Sequence, residues 1–231
     1  MKSSFASLSA LLMCLALLGP AIARAGQAED DRLHSATDVL HQISEIPENA
    51  IPPELLANAY GIAVIPGVIK AGFVVGGRWG KGVIAVRQDS GWSNPSFITL
   101  AGGSIGWQIG AQSTDIILVF KTRRGVENLA ASKVTLGADA AVAAGPVGRQ
   151  ASAATDAQMK AEIYSYSRSR GLFAGIALEG AVLQPDEEAN AAAYGGNVSS
   201  WDVFDNRVFS TPPLAQKFRQ TLGQYAPPPT R

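Results

Sequence analysis

Cysteine and histidine are nearly absent from this chain, and their absence limits the chemistry that it can perform. The single cysteine is Cys14, and the only histidines are His34 and His41. After Cys14 the sequence therefore offers no thiolate nucleophile, no disulfide and no zinc site that uses cysteine. A zinc pair on a helix normally uses positions i and i+4. The histidines stand seven residues apart, so we interpret both as solvated surface residues.

A strong basic excess is also missing. The sequence has 19 basic and 19 acidic residues, whereas nucleic-acid binders are usually strongly basic, so we expect no nucleic-acid partner. No Walker A motif and no Gly-x-Ser-x-Gly motif occurs. The stretch Gly80-Lys81-Gly82-Val83-Ile84-Ala85 matches G-x-G-x-x-A. It continues into strand-like sequence and not into a helix, so we interpret it as a tight β-turn.

The first 25 residues have the pattern of a secretory signal peptide. Lys2 precedes an apolar run, 8–18, that is too short to span a bilayer, and Ala23-Arg24-Ala25 provides a cleavage site. The residue before Cys14 is Met13 and not the small residue that lipoprotein signals require. We therefore expect a periplasmic or secreted protein without a lipid anchor. After cleavage it keeps 17 basic and 19 acidic residues, a net charge of −2.

Helical patterns flank a central region of strand-like runs. Apolar residues at helical spacing predict helices over 29–46 and 124–131, a short helix that begins at Pro53 and stops at Gly61, an alanine-rich helix from Asp186 to Gly195, and a final helix over 213–224. Short β-rich runs cover 62–65, 71–79, 82–87, 96–101, 105–112, 114–121, 134–143, 150–155, 159–168 and 172–183. Turn residues separate them, such as Asp89-Ser90-Gly91, Gly102-Gly103 and Gly145-Pro146-Val147-Gly148.

Glycines within these runs indicate how the strands are arranged. Glycine weakens the interior of a strand and marks bends, bulges or close backbone approaches. We therefore predict an α+β fold: an antiparallel, strongly bent β-sheet or small barrel flanked by N- and C-terminal helices. The expected organisation is a signal peptide (1–25), an N-terminal helical segment (26–60), a β-rich domain core (61–196), and a C-terminal linker, helix and disordered tail (197–231).

Basic and aromatic residues alternate near residue 166. Tyr164, Tyr166, Arg168 and Arg170 should point to one face of a strand, where two arginines can hold a phosphate from two sides. A solubilising polar face is the equally weighted alternative. The further basic candidates for this lipid-binding face are Arg149, Lys121, Arg123 and Arg124. Among the tryptophans, Trp107 is expected in the core, and Trp92 is left open between the core and a membrane interface.

Carboxylates are the remaining source of catalytic chemistry. Those of the β region are Asp115, Asp139, Asp156, Glu162 and Glu179. Nothing in their spacing brings two of them together, so a hydrolase is the least favoured class. We expect no catalytic residues, no metal site and no cofactor.

Five stretches of sequence resemble the SYLF-domain family, a lipid-binding module also found in fungal actin-patch proteins. They are GIAVIPGVIKAGFVVGGRWGKGV (61–83), GWSNPSF (91–97), TDIILVF (114–120), LGADAAVAAGPVGRQA (136–151) and YSYSRSRGLFAG (164–175), and the similarity covers about residues 36–196. The resemblance implies a compact β-rich domain, phosphoinositide-like binding of acidic phospholipids and, in eukaryotic members, association with actin.

The expected function is non-enzymatic binding of anionic phospholipid at the cell envelope. Eukaryotic relatives are cytosolic whereas this chain is expected to be exported, so we expect an envelope lipid in place of a phosphoinositide. The alternative is a structural or protein-interaction module without a lipid ligand. In some relatives a basic N-terminal helix assists membrane binding. Here residues 29–46 carry five acidic residues against one arginine, so we expect this helix to pack on the sheet.

The signal-peptide interpretation predicts the mass of the exported protein. The chain should begin at Gly26 and carry no acyl group, because Ala23-Arg24-Ala25 directs cleavage and Met13 prevents lipoprotein processing at Cys14. Intact-mass spectrometry of the exported protein measures both. A diacylglyceryl adduct on Cys14 would show that the interpretation is wrong.

Overall fold

The computed structural model describes residues 26–43, 51–147, 161–169 and 172–228, without the side chains of residues 72–75, 104–111 and 172. The helices are α1 (26–43), α2 (Pro53–Ala57), α3 (Arg123–Ala131), α4 (Glu187–Tyr194), α5 (Ser200–Phe204) and α6 (Pro213–Tyr225). The strands are β1 (Gly61–Gln88), β2 (Gly91–Trp92), β3 (Ser96–Phe120), β4 (Val134–Thr135), β5 (Val142–Ala144), β6 (Ile163–Ser169), β7 (Leu172–Gly175) and β8 (Val182–Pro185).

Local capping explains where several helices begin. The Thr122 side chain accepts from the Gly125 N–H at the start of α3, and Asp186 accepts from Ala189 at the start of α4. The structure confirms α3, α4 and α6 as predicted helices. It adds α5, which begins at a capping box of Ser199 and Asp202 within the segment expected to be a linker. The prediction that Gly61 ends α2 is wrong, because Gly61 begins β1.

Two long strands replace six of the predicted short ones. β1 and β3 have 28 and 25 residues and pair antiparallel from Gly61 opposite Phe120 to Ile84 opposite Ser96. Turns predicted at 80–82 and 102–103 are wrong, because both glycine pairs continue a strand. The turn at 89–90 is confirmed. Glycine lowers the propensity of a segment to form a strand but does not by itself end the strand. Pairing of β1 with β3 along the hairpin outweighs this low propensity.

The sheet is antiparallel around this hairpin, apart from one parallel pair. The far edge of β3 pairs with β8 over 98–101 and with β6 over 115–120. The remaining strands extend the sheet: β4 pairs with β8, and β7 and β5 pair with β6. Among the strands of the described residues, only the β5–β6 pair is parallel. The predicted α+β class and strongly bent antiparallel sheet are confirmed.

A bulge in β1 is one of the points where the hairpin bends. The register shifts between Ile65 and Val68, and Gly67 there adopts a left-handed φ of 58°. The Gly67 N–H donates to the Asp115 carboxylate at 2.9 Å, which satisfies a backbone donor that the bulge removes from the ladder. A second register shift lies between Gly72 and Val74.

Strand β1 folds back on itself between Ile65 and Gly82, the stretch that contains both register shifts. A straight strand would place Gly82 ~56 Å from Ile65. Instead, a Cβ on Gly82 would meet the Val64 carbonyl oxygen and would lie 2.7 Å from the Ile65 Cα. At the far end the Arg87 N–H donates to the Tyr60 carbonyl at 2.8 Å. One hairpin therefore supplies two crossing layers of the curled sheet.

Both faces of the sheet are buried where the layers cross. Because side chains alternate along β1, Ala63, Ile65 and Ile84 point to an inner face of the sheet. Helix α3 packs against this inner face. Ile62 and Val64 point to the outer face, which α1, α2, α4 and α6 cover. Helices from both ends of the chain share this outer core, so the described residues from 197 onward pack with the β-rich core.

Helix α1 packs on the outer face as expected from its acidic composition. Its apolar stripe is fully buried and consists of Leu33, Ala36, Val39, Leu40 and Ile43. Ion pairs and hydrogen bonds hold the helix at both ends. Arg32 reaches Asp186 at 2.9 Å, and Gln42 accepts a hydrogen bond from Arg168. Apolar burial and these polar contacts together fix α1 across the two layers.

The fold-back predicts that glycine is required at position 82. Gly82→Ala should lower the free energy of unfolding by about 2 kcal/mol, because the added methyl group meets backbone atoms that cannot move independently. Gly103→Ala is the matched control: it also lies in a strand of the hairpin, but its added Cβ meets nothing within 4 Å. Urea unfolding of both variants measures the difference. Equal stability of the two would contradict the close approach.

Candidate functional site

The predicted basic and aromatic face on β6 is covered. Tyr164 and Tyr166 are 1% and 0% exposed and lie in the outer core. The Tyr166 ring stacks on Phe173 with centroids 5.3 Å apart, and burial raises the pKa of both tyrosines. Alternation placed the tyrosines on one face correctly. It did not reveal that helices cover that face, so these rings form no exposed amphipathic surface.

Arg168 shares this face but lies at its edge, in a network within the protein. Its guanidinium is 3.7 Å from the Asp115 carboxylate, with both side chains about one-fifth exposed, and it donates to Gln42 on α1. Asp115 also accepts from Gly67 at the bulge. Arg168 therefore ties α1, β6 and the bulge of β1 together, which is a structural role for a residue predicted to hold phosphate.

The other predicted basic residues lie elsewhere. Lys121 is half-buried with its ammonium 5.8 Å from the centre of the Tyr164 ring, Arg123 pairs with Glu127 at 2.8 Å, and Arg124 is exposed at the start of α3. Lys121 is six positions along the chain from Asp115, the residue opposite Arg168, which is ~20 Å along the strand. Arg149 and Arg170 lie outside the described residues. The structure therefore does not bring the described members of this set together.

A different surface exposes large apolar side chains. Ile69 and Trp79 lie on β1, one on each side of residues 72–75, and are 49% and 50% exposed. Alternation places both on the outer face of the sheet, beyond the part that α1 covers. The exposed Ser113 lies opposite Ile69. Four further described neighbours on that face are small, apolar and exposed: Ala71, Gly77, Ala101 and Gly103. We call Ile69, Trp79 and these four residues the bend surface.

Trp92, by contrast, belongs to the core. It is 5% exposed, and its indole N–H donates to the Ala226 carbonyl at 3.1 Å. The open question of the sequence analysis is thereby answered in favour of the core for Trp92. The side chain of Trp107, expected in the core, lies outside the described residues.

Basic residues surround the bend surface, and carboxylates are rare in its sequence. From Gly61 to Thr114 the only acidic residue is Asp89, in the turn at the opposite end of the hairpin, against Lys70, Arg78, Lys81 and Arg87. Lys81 shares the face of Trp79, while Lys70 and Arg78 point to the opposite face beside the bend. This group was not predicted from the sequence, although a stretch from Gly61 to Thr114 with Asp89 as its only acidic residue was a visible signal.

The edge of the bend surface is set by the junction of α1 with Asp186. Lys81 lies 3.3 Å from the Asp186 carboxylate, which Arg32 also contacts. Burial alone would raise the pKa of Asp186, but the hydrogen bond and charge of Arg32, with the charge of Lys81, hold it below its usual range. Nearby Glu29 has its pKa raised by burial. This junction is charged and internally compensated, so it separates the covered core from the exposed apolar residues.

Residues considered for catalysis have structural partners or stand apart. Asp139 accepts from the Thr135 N–H, and His34 pairs with Asp38 at 2.9 Å. Asp156 lies outside the described residues. Within the described part of the chain, no group of three or more histidine, cysteine or acidic residues is arranged to hold a metal ion. The described helices also include none that is long and apolar enough to cross a bilayer.

Comparison with known families assigns the curled sheet and its helices. A family model described as "Ysc84: Las17-binding protein actin regulator" matches residues 101–225, from within β3 to the end of α6. The chain belongs to the Ysc84 family, whose domain is also called SYLF. The resemblance seen in the sequence is therefore confirmed, and the match includes α5 and α6.

Individual relatives are eukaryotic and longer. LAS seventeen-binding protein 3 of Saccharomyces cerevisiae is 38% identical over 176 residues, which are 74% of this chain and 38% of the relative. SH3 domain-containing YSC84-like protein 1 is 37% identical over 182 residues in Xenopus laevis and 38% over 197 residues in Rattus norvegicus. These matches cover 78% and 82% of this chain, and 54% and 57% of the relatives. The chain thus spans about half or less of each relative.

The network around Arg168 predicts a stability effect. Arg168→Gln should lower the free energy of unfolding by about 1–2 kcal/mol, because it removes a half-buried ion pair and a hydrogen bond to α1. Arg124→Gln, at an exposed arginine of α3, should change it by less than about 0.5 kcal/mol. Urea unfolding compares the two. If Arg168→Gln is as harmless as Arg124→Gln, the network is not structural.

Proposed function

We propose that this member of the Ysc84 family is a non-enzymatic protein that binds anionic phospholipid surfaces, with the bend surface as its membrane contact. The observation that carries the proposal is the exposure of Ile69 and Trp79 in a stretch, Gly61 to Thr114, that contains four basic residues and Asp89 as its only acidic residue. This combination supports contact with a surface that is apolar inside and negatively charged outside.

Each part of the bend surface suits one layer of a membrane. Tryptophan favours the interface between headgroups and acyl chains, because its ring is apolar and its N–H is polar. Ile69 adds apolar area on the other side of the bend. A lysine or arginine near an anionic surface contributes about 1 kcal/mol at physiological ionic strength. Lys81 shares the face of Trp79 and is placed to supply that attraction, and Lys70 and Arg78, on the opposite face, add positive charge beside the bend.

Two of the basic side chains already have partners, and this limits their contribution. Lys81 pairs with Asp186 and is 43% exposed, while Arg78 donates to the Ala177 carbonyl at 3.2 Å. Both keep further N–H groups for a phosphate oxygen. Binding should therefore combine moderate electrostatic attraction with insertion of Ile69 and Trp79, and it should weaken as salt increases.

The proposed cellular setting follows from the first 25 residues. If they act as a signal peptide, the protein meets envelope lipids, and the ligand is an anionic phospholipid of that membrane and not a phosphoinositide. Arg123 and Arg124, the exposed members of the sequence-predicted set, remain proposed secondary contacts. The alternative function is a protein-interaction module without a lipid ligand. The description of the family as a Las17-binding protein and actin regulator supports this alternative.

Liposome flotation tests the proposal. The protein should float with vesicles of phosphatidylglycerol and phosphatidylcholine, float poorly with phosphatidylcholine alone, and lose binding as salt rises. Ile69→Ala/Trp79→Ala should weaken binding to anionic vesicles about tenfold or more, because two inserting side chains are removed. Circular dichroism should show an unchanged fold, since both side chains are half exposed.

Two controls show which surface is responsible. Phe209→Ala removes a side chain that is 86% exposed and lies outside the bend surface, so it should leave binding unchanged. Arg123→Gln/Arg124→Gln tests the sequence-predicted site. Loss of binding in that variant alone would move the contact to α3, and absence of any flotation would favour the interaction module.

A further inference from the structure

A groove lies at the opposite end of the hairpin. It has a volume of about 470 Å³ and lies between the C-terminal end of β1, the start of α3 and α5. Pockets that bind ligands typically measure ~300–1,000 Å³. Trp79 and the groove residue Asp89 are ten positions apart, ~30 Å along the hairpin. The groove is therefore separate from the bend surface.

Aromatic rings form part of the groove wall. Tyr60 is 46% exposed at the point where α2 leads into β1. Trp201 on α5 is half-buried and meets Phe204 edge to face, with ring centroids 6.0 Å apart and planes at 88°. The buried Phe204 thereby fixes the orientation of the Trp201 ring. The exposed Tyr60 ring and the partly exposed Trp201 ring are therefore available to attract a cation.

The polar lining carries more free negative than positive charge. Its carboxylates are Asp89, Glu127 and Asp205, and its cations are Arg87 and Arg123. Glu127 is paired with Arg123 at 2.8 Å, and Asp205 with Arg207 at 3.2 Å. Asp89, in the exposed turn after β1, has no ion pair within the described residues. One carboxylate is thus left without a counter-ion beside aromatic rings.

Arg87 does not supply that counter-ion. Its guanidinium donates to the carbonyls of Leu56, Ala59 and Ala226 at 2.9–3.2 Å and stacks 4.3 Å from the Trp92 ring. These contacts direct its charge towards α2 and the end of α6, and burial lowers its pKa. Its guanidinium is therefore engaged in the core.

We propose that the groove binds a basic segment of a protein partner, with an arginine or lysine side chain against Tyr60 and Trp201 and Asp89 as its counter-ion. Arginine fits best, because its planar guanidinium stacks on aromatic faces and pairs with a carboxylate. A metal ion does not fit, since the described residues contain no metal-binding group of acidic residues. The groove shares no residue with the bend surface, so this proposal does not rest on lipid binding at the bend surface.

A labelled peptide tests the site. The probe is a nine-residue peptide that alternates arginine and serine, capped at both ends and followed by fluorescence anisotropy against the chain that begins at Gly26. The matched peptide has glutamine in place of arginine. The arginine peptide should bind at least about tenfold more tightly, because the site supplies a carboxylate and π-faces for a cation. Equal binding of the two peptides, or no binding, would overturn the proposal.

Matched variants locate the site. Tyr60→Ala/Asp89→Asn should weaken the arginine peptide about tenfold, while Asp30→Asn, at an exposed carboxylate of α1 outside the groove, should leave binding unchanged. Equal losses in both would indicate general attraction to an acidic surface and would contradict the groove. If the double variant unfolds, Asp89→Asn alone replaces it and should weaken binding about threefold. Liposome flotation of the double variant should match the parent, which distinguishes this site from the lipid surface.

Discussion

The close approach of the two halves of β1 is the constraint on which the rest of the structure depends. Gly82 faces the backbone of Val64 and Ile65, so the layers pack without an intervening side chain. The bulge at Gly67 and the register shift at 72–74 provide the bends that allow this crossing. Once the layers cross, one hairpin produces an inner core, an outer core and an exposed bend.

The helices have positions that follow from this arrangement. The crossed layers place Ile62, Val64 and their neighbours on an outer face whose exposure to water would be unfavourable. Helices α1, α2, α4 and α6 cover this face. Coverage ends at the charged junction of Arg32, Lys81 and Asp186. Trp79 lies beyond that junction. The proposed lipid contact is thus the part of the same sheet face that the helices leave uncovered.

Local signals in the sequence were sufficient for the helices and for the fold class. Thr122, Asp186 and the prolines before α6 mark helix starts directly, and glycines within strands indicated a bent sheet correctly. The same glycines were wrongly interpreted as turns at 80–82 and 102–103, because strand continuity depends on pairing with a distant segment. The short α5 was missed, since five residues give too little periodicity to recognise.

The candidate site was predicted less well because exposure is a tertiary property. Alternation placed Tyr164, Tyr166 and Arg168 on one face, but only the position of α1 shows that the face is covered. The scarcity of acidic residues from Gly61 to Thr114 could have been seen in the sequence. The sequence could not show which apolar side chains are exposed in this stretch. The structure shows that Ile69 and Trp79 flank one bend and are exposed.

Site-specific labelling tests most directly whether the bend surface enters the membrane. The chain from Gly26 onward has no cysteine, so Ile69→Cys and Asp31→Cys each provide a unique position for an environment-sensitive fluorophore. On anionic vesicles the label at position 69 should shift to shorter wavelength, as expected for a probe leaving water, while the label on α1 at position 31 should not. A bound protein whose label at position 69 stays in water, or shifts no more than the label at position 31, would contradict the account.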